Sequence, residues 1–402
     1  MPIEAVSVIE DLAVVLVVAL VVALLFYRLG QPLLVGYVIA GVIIGPYTPP
    51  FGLLHYPDVI EAFAQIGIAF LLFAVGLEYP LARLREVGRR SVVIASAEAL
   101  STFAAGVGLG LAFGFSVFDT LFLALAISVT STVILSQALE DLGLLERAET
   151  RLILGITVVE DVITVSALSV LQSTAVSGHL EFSEVALALG VVAVFIGGTL
   201  GLGSRVVPWM VDRLAGLRRP ELLLLGVLGL ALGLAGISSV LGISVASGAF
   251  FAGVLVADSK SHDEAKRLIA PFKQVFGAIF FVSMGALMNF ELLPRYALEI
   301  AAFLGTAISA KFLATYLSAR QQRVAVAEAR LTAINLSASG GELSLVVAKG
   351  GADVGVTSSF VLPFVGALTI VTTFLSPYLV RWAWRAAAPG GSPPPNSTPA
   401  GP

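Results

Sequence analysis

Apolar residues in this chain come in runs long enough to cross a hydrocarbon layer, not at the three-to-four-residue spacing of an amphipathic surface helix. In lipid only helices and closed barrels satisfy their own backbone hydrogen bonds, and runs of about 20 apolar residues suit helices. The composition, 57% apolar and 12% charged, agrees, so an all-α polytopic membrane protein is expected. Splitting the chain at charged and Pro/Gly-rich breaks gives thirteen candidate spans, from one centred near Ala19 to one centred near Thr372. Glu4, Glu10 and Asp11 precede the first run and no basic residue occurs before Arg28. That run therefore reads as a retained span, not a cleaved signal. The absence of cysteine excludes disulfides and thiolate chemistry.

Basic residues sort the loops. With thirteen spans, 20 of the 23 Lys and Arg fall on one side, Arg295 and Lys349 on the other, and Lys311 within a span. The excess marks the cytoplasmic face, which puts the N-terminus outside and the C-terminus inside. An internal similarity adds a second constraint. Leu29-Gly30, Gly36, Ala40, Gly41 and Val42 recur at the same spacing as Leu241-Gly242, Gly248, Ala252, Gly253 and Val254, and the following spans end near Gly76 and Gly285. The matching spans are the second and ninth, so they cross in opposite directions. This predicts a six-plus-six inverted repeat with the seventh span as linker.

Glu160 and Asp161 stand together inside Thr157-Val-Val-Glu-Asp-Val-Ile-Thr164 in the sixth span. A carboxylate at mid-bilayer costs roughly 2.5 to 3.5 kcal/mol on insertion scales, which makes such a pair an ion or proton site by default. Consecutive helical residues diverge by about 100°, so the two need different surroundings. Lys311, in the eleventh span, is the cation available to pair with one of them while the other faces a cavity. Two spans are oddly polar: the fifth contains Ser128, Thr130, Ser131 and Thr132, the twelfth Asn335, Ser337, Ser339, Gly340, Gly341 and Glu342. Corresponding interruptions in the two halves predict discontinuous crossing helices lining a transport site. Glu98, in the fourth span, is either a second proton site or a neutral, hydrogen-bonded acid. Gly106-Val-Gly-Leu-Gly110 reads as helix packing.

His55, His179 and His262 fall in predicted loops without a second ligand at metal spacing, so no transition-metal site is expected. No phosphate-cradling or dinucleotide motif occurs, so neither cofactor nor nucleotide drive is expected, and nothing points to nucleic acid. An intramembrane aspartyl protease would want a Gly-x-Gly-Asp setting, and the chain has none; an enzyme is not expected. A cation channel is the less favoured alternative and would pass single-channel currents without obligatory proton coupling.

Taken in order, Pro32-Leu-Leu-Val-Gly-Tyr-Val-Ile-Ala-Gly-Val-Ile-Ile-Gly-Pro46, Phe73-Ala-Val-Gly-Leu-Glu78, Ser128-Val-Thr-Ser-Thr-Val-Ile134, Glu160-Asp161, Lys311 and Gly341-Glu342-Leu-Ser344 resemble the cation/proton antiporter superfamily. The resemblance lies in the branch of thirteen-helix bacterial Na⁺/H⁺ antiporters and glutathione-gated K⁺ efflux systems, and covers about residues 6–385. It implies a homodimer in a prokaryotic plasma membrane, with an elevator-like core (about 90–171 and 297–385) moving against a scaffold (about 6–77 and 221–289). The linker helix would be about 184–209, and the whole transmembrane domain 1–388. It implies exchange of a monovalent cation, Na⁺ favoured and K⁺ the alternative, for H⁺, with Asp161 as principal carboxylate. Glu160 stands where aspartate, asparagine or glutamine is usual and is expected to pair with Lys311. The K⁺ efflux relatives carry a C-terminal nucleotide-binding domain, and none is expected from this sequence. Residues 389–402, rich in Pro, Gly and Ser, are expected to be a disordered tail.

Overall fold

The computed structural model describes residues 5–48, 53–54, 57–78, 88–144, 147–177, 182–241, 245–337 and 340–387. Among these residues the regular structure is helical, with no strand. Fifteen α-helices follow one another: α1 Ala5–Arg28, α2 Leu33–Ile44, α3 Pro57–Gly76, α4 Arg89–Ala112, α5 Val117–Ile127, α6 Thr132–Asp141, α7 Ala148–Ser177, α8 Phe182–Gly216, α9 Pro220–Val240, α10 Val245–Ala257, α11 His262–Ala286, α12 Ala297–Gln321, α13 Val326–Ser337, α14 Glu342–Asp353 and α15 Val361–Ala387. Eight of them are long and apolar enough to cross a bilayer, and α2, α5, α10 and the apolar part of α3 are shorter. The disordered tail expected from residue 389 lies outside the described residues.

By internal contacts the chain forms two compact units, Met1–Glu86 with Val165–Phe290 and Val87–Thr164 with Glu291–Pro402. In the first, α3 packs on α10 and α11, and α2 on α11 and α1. Small residues set these approaches. A Cβ on Gly253 of α10 would fall against Phe73 O and 2.9 Å from Gly76 Cα, while one on Gly76 would lie 3.0 Å from Gly253 Cα. Gly41 and Gly285 are in the same mutual relation: a Cβ on either would run into the other helix's backbone at Val282 O or Val38 O. In lipid, association rests on such packing and not on hydrophobic exclusion.

In the second unit α4 packs on α5 and α12, α14 on α5 and α15, and α13 on α12 and α15. Ile94, Leu135, Ile153, Ile156, Leu336 and Val380 belong to one buried cluster that joins α4, α6, α7, α13 and α15. The glycines of Gly106-Val-Gly-Leu-Gly110 are packing residues here: a Cβ on Gly106 would lie 2.8 Å from Ala124 Cα, and one on Gly110 2.7 Å from Thr120 Cγ2, both on α5. Glu98, Thr102, Gly106 and Gly110 recur every four residues and are all buried, so one stripe of α4 carries an acid at one end and glycines at the other. A ring cluster of Phe115, Tyr296, Phe303, Phe360 and Phe364 fills the region beside the start of α5.

Candidate functional site

The second unit contains two broken helices. α5 ends at Ile127, where Ser128 takes φ −82°, ψ −4° and its N–H bonds to Leu125 O. Its hydroxyl also donates to Leu125 O, at 2.8 Å. Ser, Val and Thr follow, residues that lose χ1 freedom in a helix or compete for its backbone groups. α6 restarts at Thr132, with Ser131 Oγ accepting from the Ile134 N–H at 3.3 Å as its cap. The second break lies between Ser337 and Glu342. Gly341 is extended, φ −161°, ψ −159°, at the start of α14, and a Cβ there would collide with Ser131. The two interruptions therefore touch. Ser344, in the first turn of α14, donates to Ala126 O in the last turn of α5 at 2.8 Å, and Thr373 donates to Gly340 O at 3.1 Å. Carbonyls left open by the breaks thus find partners on neighbouring helices.

Opposite helix ends serve opposite charges. Thr132, first residue of α6, donates from Oγ1 to Asp161 Oδ2 at 3.0 Å, so the carboxylate lies at a helix N-terminus. Lys311 lines a small cavity with Ala126 and Ile127 from the end of α5 and Ser337 from the end of α13, where C-terminal carbonyls favour a cation. Each helix end carries roughly half an elementary charge of the matching sign. The cavity, about 30 Å³, also touches Ser344, Thr369 and Thr372, and has room for about one water molecule.

Asp161 is 2% exposed, Glu160 and Glu98 0%, and Lys311 3%. Lys311 Nζ donates to Thr130 Oγ1 at 2.8 Å and stands 3.6 Å from Glu98 Oε1. The expected Lys311–Glu160 ion pair is not formed. The carboxylate at ion-pair distance is Glu98, which Thr102 Oγ1 holds at 3.1 Å. Glu160 lies near enough to Glu98, Lys311 and Thr130 to interact with each, but neither of its oxygens is aligned for a hydrogen bond. The proximity is electrostatic, without the geometry of a bond. The physical reason is the helical divergence of consecutive residues: α7 turns Asp161 onto Thr132 and leaves Glu160 beside the Glu98–Lys311 pair.

The structure thus brings together Asp161, Glu160, Lys311, Glu98, Thr130, Ser131 and Thr132. Ser128 and Ser337 bond back to Leu125 O and Ile334 O, the local role common for hydroxyls in membrane helices. Glu342 begins α14, but its side chain lies outside the described residues, as does Ser339. Lys349, assigned to an outer loop by its charge, is instead 3% exposed within α14 and paired with Asp353 one turn on. Thr102 and Ser344 join the site beyond the residues expected from the sequence; the four-residue stripe through Glu98 carries a signal for the first.

Residues 5–386 match the transmembrane family described as the sodium/hydrogen exchanger. YbaL of Escherichia coli (strain K12), assigned to cation/proton antiport, is 31% identical over 377 residues, which cover 90% of this chain and 66% of that protein's own length. The K⁺/H⁺ antiporter subunit KhtU of Bacillus subtilis (strain 168) is 28% identical over 359 residues, 87% of this chain and 86% of that relative. Among solved structures, the sodium proton antiporter MjNhaP1 from Methanocaldococcus jannaschii has a TM-score of 0.71 at 17% identity, over 94% of this chain and 96% of that one, a likeness of fold. The chain belongs to the sodium/hydrogen exchanger family, whose members are membrane antiporters and not enzymes.

Proposed function

We propose that the protein exchanges a monovalent cation, Na⁺ in the first instance, for protons, with Asp161 as the carrier. One observation carries this reading: a carboxylate 2% exposed is held by Thr132 where two broken helices touch, the setting in which unwound backbone can line an ion path. The cation displaces the proton from Asp161, and only a neutralised site crosses the hydrocarbon, which couples the two fluxes. Glu160 serves as the neighbouring acid of the same site.

If α5 with α6, and α13 with α14, each count as one interrupted span, the fifteen helices make thirteen crossings. The inverted repeat is supported by the paired glycine contacts, since Gly41 and Gly253 occupy matching positions, as do Gly76 and Gly285. The two compact units correspond to a scaffold and a mobile core in an elevator-type cycle, with the N-terminus outside, in a prokaryotic inner membrane and as a homodimer. The relative KhtU, a K⁺/H⁺ antiporter subunit, makes K⁺ the second reading of the cargo.

Purified protein in proteoliposomes with a pH-sensitive dye and an imposed proton gradient tests the reading. Na⁺ is expected to drive proton movement at lower concentration than K⁺ or Li⁺. A lower half-saturation for K⁺ makes it a K⁺/H⁺ antiporter. Cation currents without coupled proton movement would overturn antiport altogether.

A further inference from the structure

The partner of Lys311 is where the fold departs furthest from the acid pair that marks the site. Glu98 on α4 faces the ammonium at 3.6 Å, Thr102 fixes the same Glu98 oxygen at 3.1 Å, and Lys311 reaches on to Thr130 at 2.8 Å. Among the described residues, the titratable Glu160 of α7 also lies beside them. Glu98, Thr102, Thr130 and Lys311 are at most 3% exposed, so solvent does not screen the array.

Thr130 belongs to the unwound stretch 128–131, where no helical bonding pattern fixes the backbone. Backbone bonds hold its two ends, Ser128 N–H to Leu125 O and Leu135 N–H to Ser131 O, and side chains add the rest. Ser128 ties one end to α5, Ser131 caps α6 at the other, and between them Thr130 is held by Lys311. A lysine is a flexible stem with a point charge; its ammonium occupies a defined place only where a counter-ion defines one. Two residues beyond Thr130, Thr132 meets the carboxylate of Asp161.

We propose that Glu98 is a positioning residue of the cation site: it fixes Lys311, Lys311 anchors Thr130, and this aims Thr132 and the unwound backbone at Asp161. An ion pair that merely neutralises two buried charges would hold the fold without tuning the site. The proposal rests on the reading of Asp161 as cation carrier, and the experiment separates the two.

Double-mutant cycles of thermal stability on the full chain in detergent address the pairing. Lys311→Met combined with Glu98→Gln is expected to melt well above the additive expectation, because each single variant strands its partner. Lys311→Met combined with Glu160→Gln is expected to couple more weakly, since Glu160 lies beside Lys311 without an ion pair. Coupling in the second cycle equal to or larger than in the first would overturn the pairing. Transport addresses the positioning. Thr130→Val keeps shape and leaves the ion pair intact, and it is expected to raise the apparent KM for the cation about tenfold, the worth of one charge-assisted hydrogen bond. The folded Glu98→Gln/Lys311→Met protein is expected to show the same rise, with Glu98→Asp closer to wild type. An unchanged KM in Thr130→Val overturns the positioning role, whatever the fate of the double variant. Undiminished exchange in Asp161→Asn would instead remove the carrier reading and leave the stability cycles standing.

Discussion

Asp161→Asn separates charge from shape at the centre of the site. Asparagine nearly matches aspartate in volume, and its Oδ1 can accept the Thr132 hydroxyl that now reaches Asp161 Oδ2 at 3.0 Å. Folding stability should therefore change by less than about 1 kcal/mol, since one hydrogen bond is exchanged for a similar one. The cation loses far more. A unit charge about 4 Å from a carboxylate gains about 4 kcal/mol at an effective dielectric constant of 20, which corresponds to roughly a thousandfold in affinity. The proton loses its binding atom entirely. In proteoliposomes under a proton gradient, Asp161→Asn is expected to show no dye response to Na⁺, K⁺ or Li⁺ above empty vesicles, while melting within a few degrees of wild type. Exchange at half the wild-type rate with an unchanged KM would refute the assignment of Asp161. An equally inactive but unfolded variant would refute the claim that the carboxylate's shape, and not its charge, supports the fold.

Two further predictions concern packing inside each unit. Gly253→Val forces a branched side chain onto the backbone of α3 at Phe73 and Gly76, which cannot withdraw as a flexible side chain would; overpacking of this kind costs about 1–3 kcal/mol or more. The melting temperature should fall, and wild-type stability would contradict the close approach of α3 and α10. Asp119, 2% exposed, accepts the Ser358 N–H at 2.6 Å on Oδ1 and the Ser358 hydroxyl at 2.7 Å on Oδ2, joining the start of α5 to the segment before α15. Asp119→Ala should destabilise by about 2 kcal/mol, since it removes two hydrogen bonds that a buried carboxyl group accepts from the exposed Ser358. Ser358→Ala, which removes one of the two, should show about half that loss in denaturant titrations.

The parts of the fold and site that were legible from residues are those governed by local chemistry. The Ser/Thr run at 128–132 and the glycines at 340–341 break helices because of what those residues do to a backbone, whatever surrounds them. Burial of Lys311 agrees with its place inside the eleventh candidate span. Lys349 misled for the opposite reason: charge alone suggests a loop, but an Asp one turn on at 353 neutralises it within α14. The short helices were harder to bound. α2 has 12 residues and α10 13, below the roughly 20 that a simple span requires, and hydropathy does not say where an apolar run stops being helical.

Ion pairing is the part that no local rule supplies. Glu98 and Glu160 are both buried acids beside the buried Lys311, and composition requires a partner without choosing it. The choice is made by helix packing. Gly106 and Gly110 let α4 lie directly on α5 at Ala124 and Thr120, and Glu98 lies on the same stripe two turns before Gly106. Close packing at the glycine end therefore carries the acid at the other end toward the point where α5 unwinds, and there it meets Lys311 holding Thr130. Glycines that read as packing alone thus account for why Glu98, and not Glu160, takes the lysine.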